Sequence, residues 1–228
     1  MGRKSKKLSR EEQAEVEEWI YQNNTEETRM TDTMTIRVKC KTENQKILVN
    51  AIKEKEVVIC SGPAGTGKTF LACAEALKLI KRNGKYKKIV IVKSVTTLKN
   101  EEIGFLKGNL REKMEPFMFS FVHNFEKIVG QSITSRLREL KTIEELPIAY
   151  MRGINLDRSV IIIDEAQNIS QENMRTILTR LGKDSKMIFL GDERQQDSKG
   201  GNGLTFLMNN FKDIEEIGCV QFNKSDVV

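Results

Sequence analysis

The residues Gly62-Pro63-Ala64-Gly65-Thr66-Gly67-Lys68-Thr69 place glycines, a lysine and a hydroxyl at the spacing GxxxxGKT. Such a spacing suits an anion. Glycines let successive backbone N–H groups converge on a phosphate with no Cβ in the way. A helix opening at the end of the loop adds unpaired N–H groups and the positive end of its dipole. Lys68 can then reach β- and γ-phosphates, and the Thr69 hydroxyl can hold Mg²⁺. All eight residues, Gly62, Pro63, Ala64, Gly65, Thr66, Gly67, Lys68 and Thr69, are therefore candidates for binding a nucleoside triphosphate, ATP in the first instance.

A second group follows about a hundred residues on. Asp164 directly follows four β-branched residues, Val160 to Ile163, and Glu165 comes next. At a strand end beside a phosphate loop, Asp164 would hold Mg²⁺ with Thr69. Glu165, beyond it, would orient and deprotonate a water. The plainer alternative is two carboxylates that end a strand and cap the next helix. A third group, Gly191-Asp192-Glu193-Arg194-Gln195, ends a later apolar run, and Gln195 there could sense the γ-phosphate and its water.

These groups need strands to carry them. Val57 to Ser61, Lys88 to Lys93, Arg158 to Glu165 and Lys186 to Asp192 read as buried strands, the last two ending in carboxylates, and Cys219 to Phe222 as a last one. The alternation in Thr35 to Cys40 predicts a further strand with one exposed face. Helices are expected from Thr42 through Ile52, with Ile47, Leu48, Ala51 and Ile52 as its apolar face, after the phosphate loop, and over Leu204 to Phe211. Another helix carries Met174, Ile177, Leu178 and Leu181 on one side, with Gly182 as its left-handed stop. That leaves Arg175, Thr179 and Arg180 outward, and Arg180 is the candidate to reach a neighbouring subunit's γ-phosphate. Apolar strands alternating with amphipathic helices imply an α/β fold, a mainly parallel sheet covered on both faces. Ligands of such sheets bind at the C-terminal strand ends, where all three groups fall.

The chain has 228 residues, 39% hydrophobic and 31% charged, with a net charge of +6. That suits one α/β domain over 35–228 with an extension over 1–34. In the extension, Ser9-Arg10-Glu11-Glu12 has the form of a capping box ahead of a helix with Val16, Trp19 and Ile20 on one face. Its basic start has no apolar stretch behind it, and no run is long enough for a bilayer, so no membrane association and a cytoplasmic location are expected. The four cysteines lie far apart and His123 is alone, which argues against disulfides and a zinc site. The positive charge is compatible with a nucleic-acid partner without requiring one. Lys99, Lys107, Arg111 and Lys113, in a polar, helix-rich excursion between Thr96 and Leu146, and the basic N-terminus are the candidate contacts to single-stranded RNA or DNA.

Six stretches in order carry a resemblance. They are Ser61 to Thr69, Ile103-Gly104-Phe105-Leu106-Lys107-Gly108, Tyr150-Met151-Arg152-Gly153, Ile163-Asp164-Glu165-Ala166-Gln167-Asn168, Leu178-Thr179-Arg180-Leu181-Gly182, and Gly191-Asp192 with Gln195. Together they resemble the PhoH family, common in bacteria and bacteriophages, over about Thr42 to the end. The resemblance implies a RecA-like P-loop NTPase core, an Mg²⁺-dependent ATPase, a homo-oligomer that forms a ring such as a hexamer, and a link to RNA. For a phage-encoded member the location would be the host cytoplasm. Gln45 lies about twenty residues ahead of the glycine loop, as does the adenine-reading glutamine of many helicase-like NTPases, and the plainer alternative is an ordinary residue at a helix start. The chain departs from the family where Lys93-Ser94-Val95 stands in place of an Arg-Pro pair. A nucleotide-switched binding module with slow hydrolysis is the alternative function.

Overall fold

The computed structural model describes residues 30–82, 84–93, 110–151, 153–195 and 202–228, and the side chains among them except those of residues 82, 110–117 and 149. The helix expected in residues 1–34, the Ile103–Gly108 stretch, Arg152, and the side chains of Lys99, Lys107, Arg111 and Lys113 lie outside the described residues.

Six strands form one parallel sheet: β1 (Val57–Ser61), β2 (Lys88–Lys93), β3 (Ile143–Glu145), β4 (Ser159–Asp164), β5 (Lys186–Gly191) and β6 (Ile217–Gln221). Their spatial order is β3-β2-β4-β5-β1-β6. Every residue of β1, β4 and β5 is buried, so these strands read as unbroken apolar runs, because helices cover both faces.

The period-two pleat divides their side chains between two cores. Val58, Cys60, Ile162 and Ile188 join α1 (Glu43–Glu54), α2 (Lys68–Arg82) and α3 (Leu110–Val129) through Leu48, Leu77 and Phe121. The shorter α4 (Gln131–Glu139) closes the same layer through Leu137. Val57, Ile59, Ile163 and Phe189 face α5 (Gln171–Leu178) and α6 (Gly203–Phe211) through Met174, Ile177 and Leu207. Among the described residues no helix is long and apolar enough to cross a membrane. The four cysteines are unpaired, and burial pushes the Cys60 and Cys73 thiols up.

Four sequence expectations change in detail. Thr35 to Cys40 forms no strand. Its alternation is real, with Ile36, Val38 and Cys40 packed against the core and Arg37 and Lys39 exposed, but it joins no strand ladder. On α1, Leu48, Val49 and Ile52 turn inward while Ile47 stays 46% exposed. The polar excursion contains a short edge strand, β3, besides its helices.

Gly182 does not stop a helix in the left-handed region: α5 ends at Leu178, and Gly182 is absent from the positive-φ glycines. The glycine is needed for space. A Cβ there would lie 2.7 Å from the Leu156 carbonyl carbon and 2.8 Å from the Asp157 nitrogen.

Candidate nucleotide site

The register brings the three candidate groups to one edge of the sheet. Ser61 pairs with Gly191, and Lys93 pairs with Asp164. β5 lies between β1 and β4, so Asp192 sits between the glycine loop and the Asp164–Glu165 pair. Their residues line one cavity of about 580 Å³, within the roughly 300–1,000 Å³ usual for small-molecule sites. The lining includes Gly65, Gly67, Lys68, Thr69, Asp164, Glu165, Asp192 and Gln195. Of the other predicted loop residues, Ala64 lines the cavity, while Gly62 and Pro63 line a polar pocket behind the loop together with Ser61 and Asp192.

The loop takes its shape from Gly65 and Gly67, whose φ values of +79° and +82° a side chain would resist. Thr66 is fully buried, and its hydroxyl donates to the Pro63 carbonyl at 3.0 Å. Lys68 opens α2, and its ammonium donates to the Gly62 and Pro63 carbonyls, both at 2.7 Å. Burial holds the Lys68 pKa below its usual value, against the opposing pull of Cys60 and of Asp164, Asp192 and Glu165. A cation held by two loop carbonyls at the cavity wall is well placed to be drawn onto a polyphosphate.

Asp164 is buried, and that burial, with Glu165 adjacent, raises its carboxyl to about 6, while Lys93 and Lys68 oppose the rise. A buried carboxylate that shares its cavity with the Thr69 hydroxyl offers oxygen ligands of the kind a divalent cation takes. Among the described residues no three His, Cys, Asp or Glu side chains cluster to hold a metal by themselves.

Glu165 has φ +53° and ψ +40°, left-handed for a residue with a full side chain. Such backbone collects at functional sites because the surroundings must enforce it. Its carboxylate accepts from Gln167 Nε2 at 2.7 Å, and Gln167 Oε1 accepts from the Asp192 N–H at 3.2 Å. Gln167 is buried and ties the acid pair of β4 to the turn after β5. Sequence reading gave Gln167 no role, and its place in the Ile163–Asn168 stretch was the available signal. The fit is tight, since any Cβ on Gly191 would strike the Gln167 side chain. Asp192 in turn accepts from Gln195 Nε2 at 3.0 Å and from the Arg194 N–H at 3.0 Å, which fixes Gln195 at the cavity rim.

Two further predicted residues are placed differently from the rest. Gln45 lines the cavity, but both ends of its amide are held by backbone: Nε2 donates to the Thr66 carbonyl at 3.0 Å, and Oε1 accepts from the Lys41 N–H at 2.6 Å. Arg180 lies away from the cavity, toward the N-terminal ends of the strands. Its carbonyl accepts from the Leu156 N–H just ahead of β4, and its guanidinium reaches the Ile154 carbonyl at 3.5 Å. The structure also adds Asn124 and Lys127 of α3 to the cavity wall.

The profile described as PhoH-like protein matches residues 37–228. A PhoH-like protein of Bacillus subtilis is 38% identical over 97% of this chain and 68% of its own length. The chain belongs to the PhoH family. A PhoH-like protein of Synechocystis is 37% identical over 84% of the chain, and Protein PhoH of Escherichia coli 33% over 85%. The chain spans 58% and 55% of those two relatives. Coverage of 97% of the chain takes in most of residues 1–34 too, more than the motifs alone indicated.

Among solved structures, the PhoH chain is similar to the Hef helicase domain of Pyrococcus furiosus (18% identity, TM-score 0.46, 80% of this chain and 38% of that one). It is also similar to the UvsW helicase of bacteriophage T4 (12%, TM-score 0.45, 96% and 69%). The large terminase of a thermophilic bacteriophage, in complex with ADP, is a third (12%, TM-score 0.44, 81% and 46%). The chain has an α/β fold with an all-parallel six-stranded sheet, the phosphate-loop strand one strand removed from the strand that bears the acid pair.

Proposed function

We propose that this PhoH protein is an Mg²⁺-dependent ATPase that cleaves the β–γ bond by in-line attack of water. The observation that carries the reading is the convergence of the glycine loop, Asp164–Glu165 and Asp192–Gln195 on one cavity. Lys68 and the loop amides meet the charge that develops on the transferred phosphoryl group. Thr69 and Asp164 are the residues to hold Mg²⁺, which supplies charge neutralisation at the β- and γ-oxygens. Glu165, oriented by Gln167, takes the water's proton, and Gln195, oriented by Asp192, contacts the γ-phosphate or that water.

The ATPase acts as a homo-oligomer, with Arg180 supplied to a neighbour's site. It does not line its own cavity, so a part at a γ-phosphate would be played in trans. An arginine finger of this kind is worth on the order of 10³-fold in rate. Mixing Arg180→Ala with Lys68→Ala should therefore restore turnover above that of either variant alone, because mixed rings contain sites with an intact lysine and a neighbour's arginine. No recovery in a preparation shown to co-assemble removes Arg180 from that role.

Single-stranded RNA or DNA binds through phosphates and stimulates turnover. Among the described residues Phe121 and Phe125 belong to the core, while Phe119, 75% exposed and stacked on His123 at 6.2 Å, and Tyr150, 57% exposed, are open to solvent. Phosphate contacts thus outweigh base stacking, and affinity should fall by roughly 0.7 log units per contact per tenfold salt. Steady-state ATP turnover and labelled-oligonucleotide titrations at three salt concentrations test this. Turnover indifferent to saturating RNA and DNA, with affinity flat in salt, would instead support a nucleotide-switched module.

A further inference from the structure

The phosphate loop is gripped from outside at two consecutive peptide units. Gly65 O accepts from the Val228 N–H at 3.1 Å. Thr66 O accepts from Gln45 Nε2 at 3.0 Å. In a trans peptide the C=O and N–H point in opposite directions. Holding Gly65 O outward therefore aims the Thr66 N–H inward, and holding Thr66 O outward does the same for the Gly67 N–H. Neither N–H donates to a protein acceptor among the described residues. Two successive inward amides, flanked by Gly65 and Gly67 at positive φ, form an anion nest.

Both grips are anchored in the first turn of α1. Asn44 Nδ2 donates to Asp226 Oδ2 at 2.8 Å, and Asp226, buried, also accepts from the Asn223 N–H at 2.9 Å. Residues 222–228 thus form a strap along the loop, from the Phe222 N–H on the Ser61 carbonyl at 2.8 Å to Val228 at Gly65. The contact is close throughout: a Cβ on Gly65 would lie 3.3 Å from Val227, and one on Gly67 3.3 Å from the Gln45 amide.

We infer that Gln45 and the Val228 backbone are positioning residues that preset the loop amides for phosphate, and that Gln45 does not read the base. The inference rests on the nucleotide reading above. Its test compares binding of Mg·ATP and of inorganic tripolyphosphate, which has no base, to the full chain. Gln45→Ala and Val228→Pro, the latter removing the N–H donor, should each weaken both ligands by a similar factor. That factor should be roughly tenfold, as for one misaligned charge-assisted hydrogen bond. Asp226→Ala, which frees the strap without touching the loop, should act in the same direction as Val228→Pro.

Circular dichroism at the assay temperature shows that each variant is folded, so general destabilisation cannot produce the equal loss. A parent that binds both ligands with variants that bind equally well overturns the inference alone. Loss confined to ATP in Gln45→Ala also overturns it and makes Gln45 a base reader. A parent that binds neither ligand overturns the nucleotide reading and the inference with it.

Discussion

Replacing Lys68 by alanine should lower ATP turnover by at least about 10²–10³-fold, the range seen when one preorganised donor to a developing anion is lost. Nucleotide affinity should fall as well, since the ammonium is the cation the loop holds for the β- and γ-phosphates. Stability should behave differently. Lys68 is 9% exposed and its charge is disfavoured by burial, so its removal relieves a desolvation cost. Against this, the Gly62 and Pro63 carbonyls lose a donor, though both residues line the polar pocket behind the loop. The thermal midpoint of Lys68→Ala should therefore stay near that of the parent or rise slightly. Turnover within tenfold of the parent would remove Lys68 from its role, and a collapse of the midpoint would mean that the loss of activity was one of folding.

Glu165→Gln should show the opposite pattern in binding: ATP retained, turnover reduced by about 10²–10⁴-fold, the usual contribution of a positioned general base. The substitution is nearly isosteric, and the amide oxygen can still accept from Gln167 Nε2, so the bridge to Asp192 survives. The left-handed backbone at residue 165 is no harder for glutamine than for glutamate. Asp164 and Thr69 are untouched, so Mg·ATP should bind with near-parental affinity. Equilibrium binding and single-turnover hydrolysis, measured together, check both halves. Hydrolysis at the parental rate would show that another group activates the water, and lost ATP binding would show that Glu165 holds the metal.

The positioning network behind these two residues extends through Gln167 to Asp192 and Gln195. It joins the ends of two adjacent strands, so a shift at the Glu165 carboxylate is felt at the turn after β5.

The sequence alone determined whatever depends on neighbours along the chain. A glycine-rich octet between an apolar β-branched run and a helical pattern specifies its own strand, loop and helix, and β1 and α2 begin and end as that pattern requires. The same holds for Asp164 and Glu165 after four β-branched residues. The unbroken apolar runs of β1, β4 and β5 marked a parallel sheet covered on both sides, because a half-solvated strand would alternate.

Only the tertiary structure decided what depends on partners far along the chain. The alternation of Thr35 to Cys40 records which side chains face the core, but a strand needs a ladder partner, and none lies beside it among the described residues. The place of β5 between β1 and β4 is set by chain crossovers, and it is what puts Asp192 and Gln195 into the cavity. Gln45 sits 21 residues from Thr66, Gln167 sits 25 from Asp192, and Asn44 sits 182 from Asp226. A glutamine's type says that it can donate and accept; which backbone groups it meets is fixed only when the sheet and its helices close around them.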